Sequence, residues 1–341
     1  MAREHLRLGV VGAGGIARAE HLPRFRQIDG VDIVGVANSS PESSRSVAAA
    51  ERIPRAFGDW RELVADPAID AVLVATRPDL HAPVTIAALE AGKDVLVEAR
   101  MADTLDAARA MRAAARAAPN CVGYVVPSSF SLWADRTIIR ILEGGALGAP
   151  RHVRVTWDAA GSVAASEWWR WTRRVSGVNV MALGIVLEAM IRWLGPVTAV
   201  QATSRILEPR KPGPTGDVET DVADDLLVTA VFGEVTASLE MSVATVHGGT
   251  RVELVGDAGA LALDVARGRL TQAARGEAAS DVAIAPEDRL GWTAELDFVN
   301  AIRGGDPGTL TDFATGVRYM AAVDAIDRST ESGCREDVPR D

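Results

Sequence analysis

The chain has 341 residues, with 46 acidic against 36 basic side chains and a formal net charge of −10 at pH 7. That length predicts about two domains of ordinary size, and 48% hydrophobic with 24% charged residues excludes a disordered chain. The acidic balance argues against a nucleic-acid partner, which needs a basic face to neutralise phosphates.

Apolar runs all fall short of the ~18–20 residues of a membrane span, and the charged start MAREHLRLG lacks a signal-peptide profile. Two cysteines, Cys121 and Cys334, exclude a disulfide scaffold or a cysteine metal cluster and point to a reducing cytoplasm. Only Lys93 and Lys211 are lysines, so just two positions offer a catalytic amine.

In chain order, Leu6–Gly12, Val31–Ala37, Ala71–Ala75 and Asp94–Glu98 read as buried parallel strands. Helical patterns over Ile16–Gln27, Pro41–Glu51, Trp60–Ala65 and Ala82–Ala91 lie between them, the alternation of a doubly wound α/β domain. A helix over Thr104–Ala118 and a strand over Val122–Val126 complete it, giving a Rossmann domain over 1–125.

After a helix at Leu132–Gly144 the pattern changes. Arg151–Asp158, Thr198–Arg205, Leu226–Gly233, Val235–Val243, Arg251–Gly256 and Ala260–Val265 predict a large, mostly antiparallel open sheet in an α+β domain over 126–341. An apolar helix, Val180–Leu194, lies among them, and Glu208–Asp225 reads as an exposed Pro- and Gly-rich loop. Helices at Trp292–Arg303 and Phe313–Thr330 close the chain and pack back toward the N-terminal domain; there is no repeat at solenoid spacing.

Gly12-Ala13-Gly14-Gly15-Ile16-Ala17 follows a strand and opens a helix, which matches the G-x-G-x-x-G/A dinucleotide fingerprint. Gly12 allows the tight turn, Gly14 the approach of a pyrophosphate, Ala17 close helix packing, and the helix N-terminus favours the phosphate charge. A bland strand–helix turn also uses glycine, but here the next strand arrives at the expected spacing.

The second strand ends in Asn38, Ser39 and Ser40, with Arg45 following, where an acidic residue would select NAD and repel a 2′-phosphate. A neutral amide, two hydroxyls and a guanidinium favour NADP(H) over NAD(H). The alternative leaves Asn38 on the ribose and Arg45 as solvated helix surface.

Several segments together resemble the Gfo/Idh/MocA (glucose–fructose oxidoreductase/inositol dehydrogenase) family: LGVVGAGGIARAEHLP, AVLVATRPDLHAP, EAGKDVLVEARMA, ILEGGALGAPRHVRV, Gly184…Arg192-Trp193-Leu194-Gly195 and AAVDAIDRSTESG. The resemblance covers residues 6 to 335. It implies a Rossmann domain joined to an α+β domain whose open sheet often mediates oligomerisation. It also implies NAD(P)-dependent oxidoreduction of sugars, polyols or their derivatives, with Thr76, Arg77, His81 and Glu98 among the cofactor positions.

The chain departs from the family where the chemistry sits. The usual Glu-Lys-Pro is Glu98-Ala99-Arg100, and anchoring on Gly184 and Trp193 places Ala182, Val186 and Ala189 at the polar positions of the catalytic helix. These three share one helix face, whereas Glu188 points elsewhere and sits four residues before Arg192, an ion-pair spacing.

Two groups stand as replacements. His81 lies in the loop after a parallel strand, where such sheets bind ligands, or it merely holds that loop. Arg100 cannot give up a proton; it either hydrogen-bonds a developing oxyanion or pairs with an acid or the nucleotide. Trp168-Trp169-Arg170-Trp171-Thr172-Arg173-Arg174 interleaves aromatics with arginines. Trp169, Arg170 and Arg173, with Asn179 nearby, either bind a ring and an anionic group or form a packed lid or subunit contact.

The expected function is therefore NADP(H)-dependent hydride transfer to or from a carbonyl, alcohol or imine of a sugar-like or secondary-metabolite substrate, with a non-standard proton donor. The alternative is a redox-silent relative, either a non-redox enzyme or a nucleotide-sensing binding protein. Both readings take a small-molecule partner, with no nucleic acid, membrane or metal, and a homo-oligomer (dimer or tetramer) formed through the open sheet.

Overall fold

A computed structural model describes residues 5–159, 165–178, 180–246 and 248–340. The chain divides into two compact units, 1–127 with 293–317, and 128–292 with 318–341.

The first unit is built on β1 (Leu6–Val11), β2 (Val31–Ala37), β3 (Arg55–Phe57), β4 (Ala71–Val74), β5 (Asp94–Val97) and β6 (Gly123–Val125). They pair in parallel in the order β3-β2-β1-β4-β5-β6, a doubly wound sheet whose chain order reverses between β1 and β4. β4 and β5 are buried along their whole length, because helices cover both faces.

The helix expected over Ile16–Gln27 is interrupted. Ala17–His21 forms a π-helical turn, with the Leu22 N–H donating to the Ala17 carbonyl, and α1 (Leu22–Phe25) follows. Pro23 explains the departure: its ring clashes with the carbonyl four residues back, and a widened turn relieves this. The turn buries His21.

α2 (Pro41–Glu51) is capped by Ser40, whose hydroxyl accepts the Ser43 N–H, and α3 (Trp60–Ala65) by Asp59. α4 (His81–Glu90) and α5 (Leu105–Ala117) complete the first pass.

The second unit carries α6 (Leu132–Glu143), β7 (Pro150–Asp158), α7 (Arg173–Ser176), α8 (Leu183–Leu194) and β8 (Val197–Arg205). β9 (Arg210–Gly213) and β10 (Gly216–Glu219) form a separate hairpin. Then come β11 (Asp225–Phe232), β12 (Val235–Ser242), β13 (Gly249–Gly256), β14 (Gly259–Asp264), β15 (Arg269–Ala274) and β16 (Ser280–Asp281).

Together with the terminal β18 (Glu336–Asp337) they make a nine-stranded sheet ordered β16-β15-β14-β13-β7-β12-β11-β8-β18. Every pair is antiparallel except β7 with β12. Alternation buries one face through Leu226, Val228, Ala230 and Phe232, while Leu227 and Thr229 stay exposed.

α9 (Ala294–Ile302) and β17 (Thr311–Asp312), expected in the second domain, belong to the first unit. β17 adds an antiparallel edge to β6, and Phe313 packs where a side chain at Gly123 would stand. α10 (Phe313–Ser332) contains the third crossing between units, after Val317.

The loop expected to be exposed over Glu208–Asp225 holds β9 and β10, and Lys211 within it is 2% exposed. Its ammonium donates to Asp224 Oδ2 at 2.6 Å and to the Glu208 carbonyl at 3.1 Å, and lies 4.6 Å from the centre of the Trp171 ring. A buried ammonium needs such a set of partners to offset its desolvation.

Candidate functional site

The carboxyl ends of the parallel strands carry the polar groups of the first unit. Gly12, at φ +88°, comes so close to β4 that a Cβ there would lie 2.7 Å from the Ala75 carbonyl carbon and oxygen. Gly14 and Gly15 are exposed, and a Cβ at either would meet nothing within 4 Å. Ile16 stands half-exposed beside them. Open backbone at a helix N-terminus is the setting a pyrophosphate requires.

Asn38 closes this turn from the end of β2. Its Oδ1 accepts the Ala13 N–H at 2.7 Å, its Nδ2 donates to Ser43 Oγ at 3.2 Å, and its own N–H donates to Ser44 Oγ at 2.8 Å. Ser39 is exposed, Ser40 caps α2, and Arg45 pairs with Glu42 at 2.8 Å on the solvent face of that helix.

At the end of β4, the Thr76 hydroxyl donates to the Arg77 carbonyl, and Arg77 lies 3.7 Å from Asp79. His81 is buried with Nδ1 2.8 Å from the Arg100 carbonyl and Nε2 3.0 Å from that of Thr76. Burial outweighs those carbonyls and pushes the imidazole below its ordinary pKa. The ring thus spans from the end of β4 to the segment after β5, with both nitrogens facing backbone. Arg100 is itself buried and follows a cis Ala99–Arg100 peptide.

The structure adds a group that no local pattern marked. His21 places Nε2 2.5 Å from Glu98 Oε1 and Nδ1 2.6 Å from Glu295 Oε1. Glu98 Oε2 accepts the Ala99 N–H at 3.0 Å. Burial alone would lower the pKa of His21, but hydrogen bonds to Glu295 and Glu98, with their charges, raise it to about 9. An imidazolium has two N–H groups and so can donate to both carboxylates at once. His21 and Glu295 lie 274 residues apart, so only long-range pairing unites them.

In the second unit, Ala182 occupies the N-cap of α8 with no side-chain cap, and Val186 and Ala189 are buried. Met181, just before, has φ +47°. The polar face of this helix is elsewhere. Glu188 accepts the Ser128 N–H at 3.1 Å and pairs with Arg192 at 2.7 Å; Arg192 reaches Asp135 at 2.8 Å, and Trp193 Nε1 donates to the same carboxylate.

Arg170 stacks over Trp169 at 4.8 Å and lies 3.4 Å from Glu167, while Trp171 is buried. Arg173 is separate from that stack: it pairs with Asp327 at 2.5 and 2.9 Å and lines a cavity of about 260 Å³ with Val180, Leu183, Leu226 and Asp221. Asn179 and His247 lie outside the described residues. Lys93 donates to the Asp66 and Ile69 carbonyls, so each lysine has a buried structural partner. Among the described residues no group of three His, Cys, Asp or Glu side chains is placed to hold a metal ion, and no helix is long and apolar enough to cross a membrane.

Residues 6–125 match the oxidoreductase family with an NAD-binding Rossmann fold, and residues 136–262 match the GFO/IDH/MocA C-terminal domain. The chain belongs to the Gfo/Idh/MocA family.

This family member is 34% identical to 1,5-anhydro-D-fructose reductase of Ensifer adhaerens over 51% of this chain and 52% of that one. That match therefore spans about half of the relative. It is 27% identical to inositol 2-dehydrogenase of Acidothermus cellulolyticus over 96% of this chain and 92% of that one. A solved levoglucosan dehydrogenase, in complex with NADH and L-sorbose, superposes with a TM-score of 0.84 at 22% identity, covering 99% and 100% of the two chains. That likeness concerns the fold.

Proposed function

We propose that the protein is a cytoplasmic oxidoreductase that uses NADP(H) in preference to NAD(H), with a sugar-like or secondary-metabolite carbonyl, alcohol or imine as substrate and a non-standard proton donor. The glycine turn carries this reading: Gly14 and Gly15 leave open space at a helix start, and Asn38 holds the turn through Ala13. Gly12, Gly14, Gly15 and Ile16 would hold the pyrophosphate, and Asn38, Ser39 and Ser40 the adenosine ribose.

The bound nucleotide supplies or accepts the hydride. The end of β2 bears no carboxylate, so a 2′-phosphate meets hydroxyls and an amide there, with Arg45 on the next helix turn. We assign His81 to holding the β4 loop against the Arg100 carbonyl, and Arg100 to hydrogen-bonding a developing oxyanion. Trp169 and Arg170 offer a stacking surface, and Arg173 lines the cavity of the second unit. The exposed sheet face around Leu227 and Thr229 supports a homo-oligomer.

A second reading, a redox-silent nucleotide-binding protein, is favoured by one observation: Ala182, Val186 and Ala189 give α8 no polar group where its relatives' chemistry is expected. Titration of tryptophan fluorescence with NADPH, NADP⁺, NADH and NAD⁺ tests the dinucleotide site. Micromolar binding with NADPH tightest is expected. Binding of none of the four overturns the oxidoreductase reading.

A further inference from the structure

The lysine that would donate a proton is absent, and both lysines of the chain are committed elsewhere, yet the first unit holds another group with an exchangeable proton near the strand ends. His21 is that group. Its side chain is 0% exposed and Glu295 is 1% exposed, while Glu98 is 12% exposed, so the three form a line that reaches solvent only at Glu98. Glu98 directly follows β5. The adenosine ribose of a dinucleotide faces the end of β2, which leaves the other half of the molecule to the β4–β5 side of the switch point.

We propose that Glu98, His21 and Glu295 form a buried proton store at the carboxyl end of β5, which supplies the proton that the absent lysine would give. Glu98 is the catalytic residue of the set, and His21 and Glu295 are positioning residues. The proposal rests on the dinucleotide reading given above and names the donor that reading left open.

In reduction, the hydride reaches the carbonyl carbon from the reduced dinucleotide, which leaves oxidised. The carbonyl oxygen keeps the electron pair of the broken π bond and takes a proton relayed through Glu98, a carboxylate at rest, which draws it from His21 Nε2 and passes it on. That leaves Glu98 again a carboxylate and His21 a neutral imidazole whose Nδ1–H stays on Glu295. Solvent later returns one proton. Oxidation runs the same path backwards.

The charges also couple the store to the redox state of the ring. An imidazolium between two carboxylates leaves a net −1, and the cluster becomes −2 when His21 loses its proton. An oxidised nicotinamide is cationic and a reduced one is neutral. Loss of the His21 proton therefore favours the oxidised form, and a ring that turns cationic makes His21 a better acid.

Glu98, after β5, and Glu295, on α9, are charged groups that face His21. On its own helical segment Glu20 pairs with Arg24, and Arg18 pairs with Glu51. His81, on α4, also feels Glu98 but is held below its ordinary pKa by burial and stays neutral above neutral pH.

The test is the ratio of the dissociation constants for NADPH and NADP⁺, measured from about pH 7.5 to about pH 10 on the full chain. Phosphate, ribose and adenine contributions cancel in that ratio. It should rise by about 3- to 10-fold, with its step near the pKa of His21. His21→Gln should flatten the profile. Glu295→Gln should move the step toward neutral pH, because a single carboxylate holds the proton less firmly. A merely structural His21 would change both affinities together and leave the ratio flat.

A flat ratio in the unmodified protein, with both nucleotides bound, overturns the proposal. Binding of neither nucleotide at any pH overturns the dinucleotide reading and this proposal with it. If His21→Gln does not fold, the unmodified step and its displacement in Glu295→Gln still decide.

Discussion

The carboxyl ends of β1, β2, β4 and β5 and the first two turns of α8 make an instructive pair. The strand ends are dense in polar contacts: Asn38 on the Ala13 N–H, His81 between two carbonyls, and His21 between two glutamates. On α8 the face expected to be polar carries Ala182, Val186 and Ala189, while Arg192 anchors the helix on α6 through Asp135 and Glu188 holds the Ser128 N–H before α6. One region thus keeps groups able to bind a charged ligand and handle protons. The other spends its polar side chains on packing.

The comparison breaks most directly at Gly12. Gly12→Val would place a branched side chain at φ +88° with its Cβ 2.7 Å from the Ala75 backbone. Nucleotide affinity should fall at least about 100-fold, and stability by roughly 3 kcal/mol, by fluorescence titration and denaturant unfolding. Retained micromolar binding would mean that the turn does not carry the nucleotide.

Glu188→Ala probes the other side. It leaves the buried Ser128 N–H without its acceptor and the Arg192 guanidinium with one carboxylate fewer, at a cost of about 2–4 kcal/mol. Nucleotide affinity, referred to the folded fraction, should not change. A variant that stays as stable as the parent would remove packing as the purpose of this network.

Asn38→Asp gives the smallest and sharpest effect. An added carboxylate at the end of β2 should weaken NADPH relative to NADH by about 10-fold in competitive titration. An unchanged ratio would show that Asn38 does not face the 2′-position.

Much of the fold was legible because buried parallel strands such as β4 and β5 are short apolar runs bounded by turn residues, and the glycine turn has a fixed spacing. β9 and β10 were hidden because Pro and Gly dominate their composition, and what orders them is an ion pair between Lys211 and Asp224 on the far side of the hairpin. Pro23 was a readable signal for the broken first helix; its lost N–H and its clash require such a widening.

The site was legible only where one segment supplies it. The pairing of Asn38 with Ala13 joins two predicted turns, but His21 with Glu295 joins two helical surfaces that share no pattern. Each residue alone reads as an ordinary helix position.

The division of the first unit also bears on how the protein is made. α9 and β17 lie more than 160 residues beyond β6, yet they supply Glu295 to His21 and the last edge to the parallel sheet. A nascent chain therefore cannot finish its N-terminal unit until residues 293–317 have left the ribosome. Until then the sheet keeps an open edge at β6, and His21 is buried against one carboxylate instead of two. Sequence separations of this size slow folding, and they make the interval before residue 317 is synthesised the stretch in which a chaperone would be most useful.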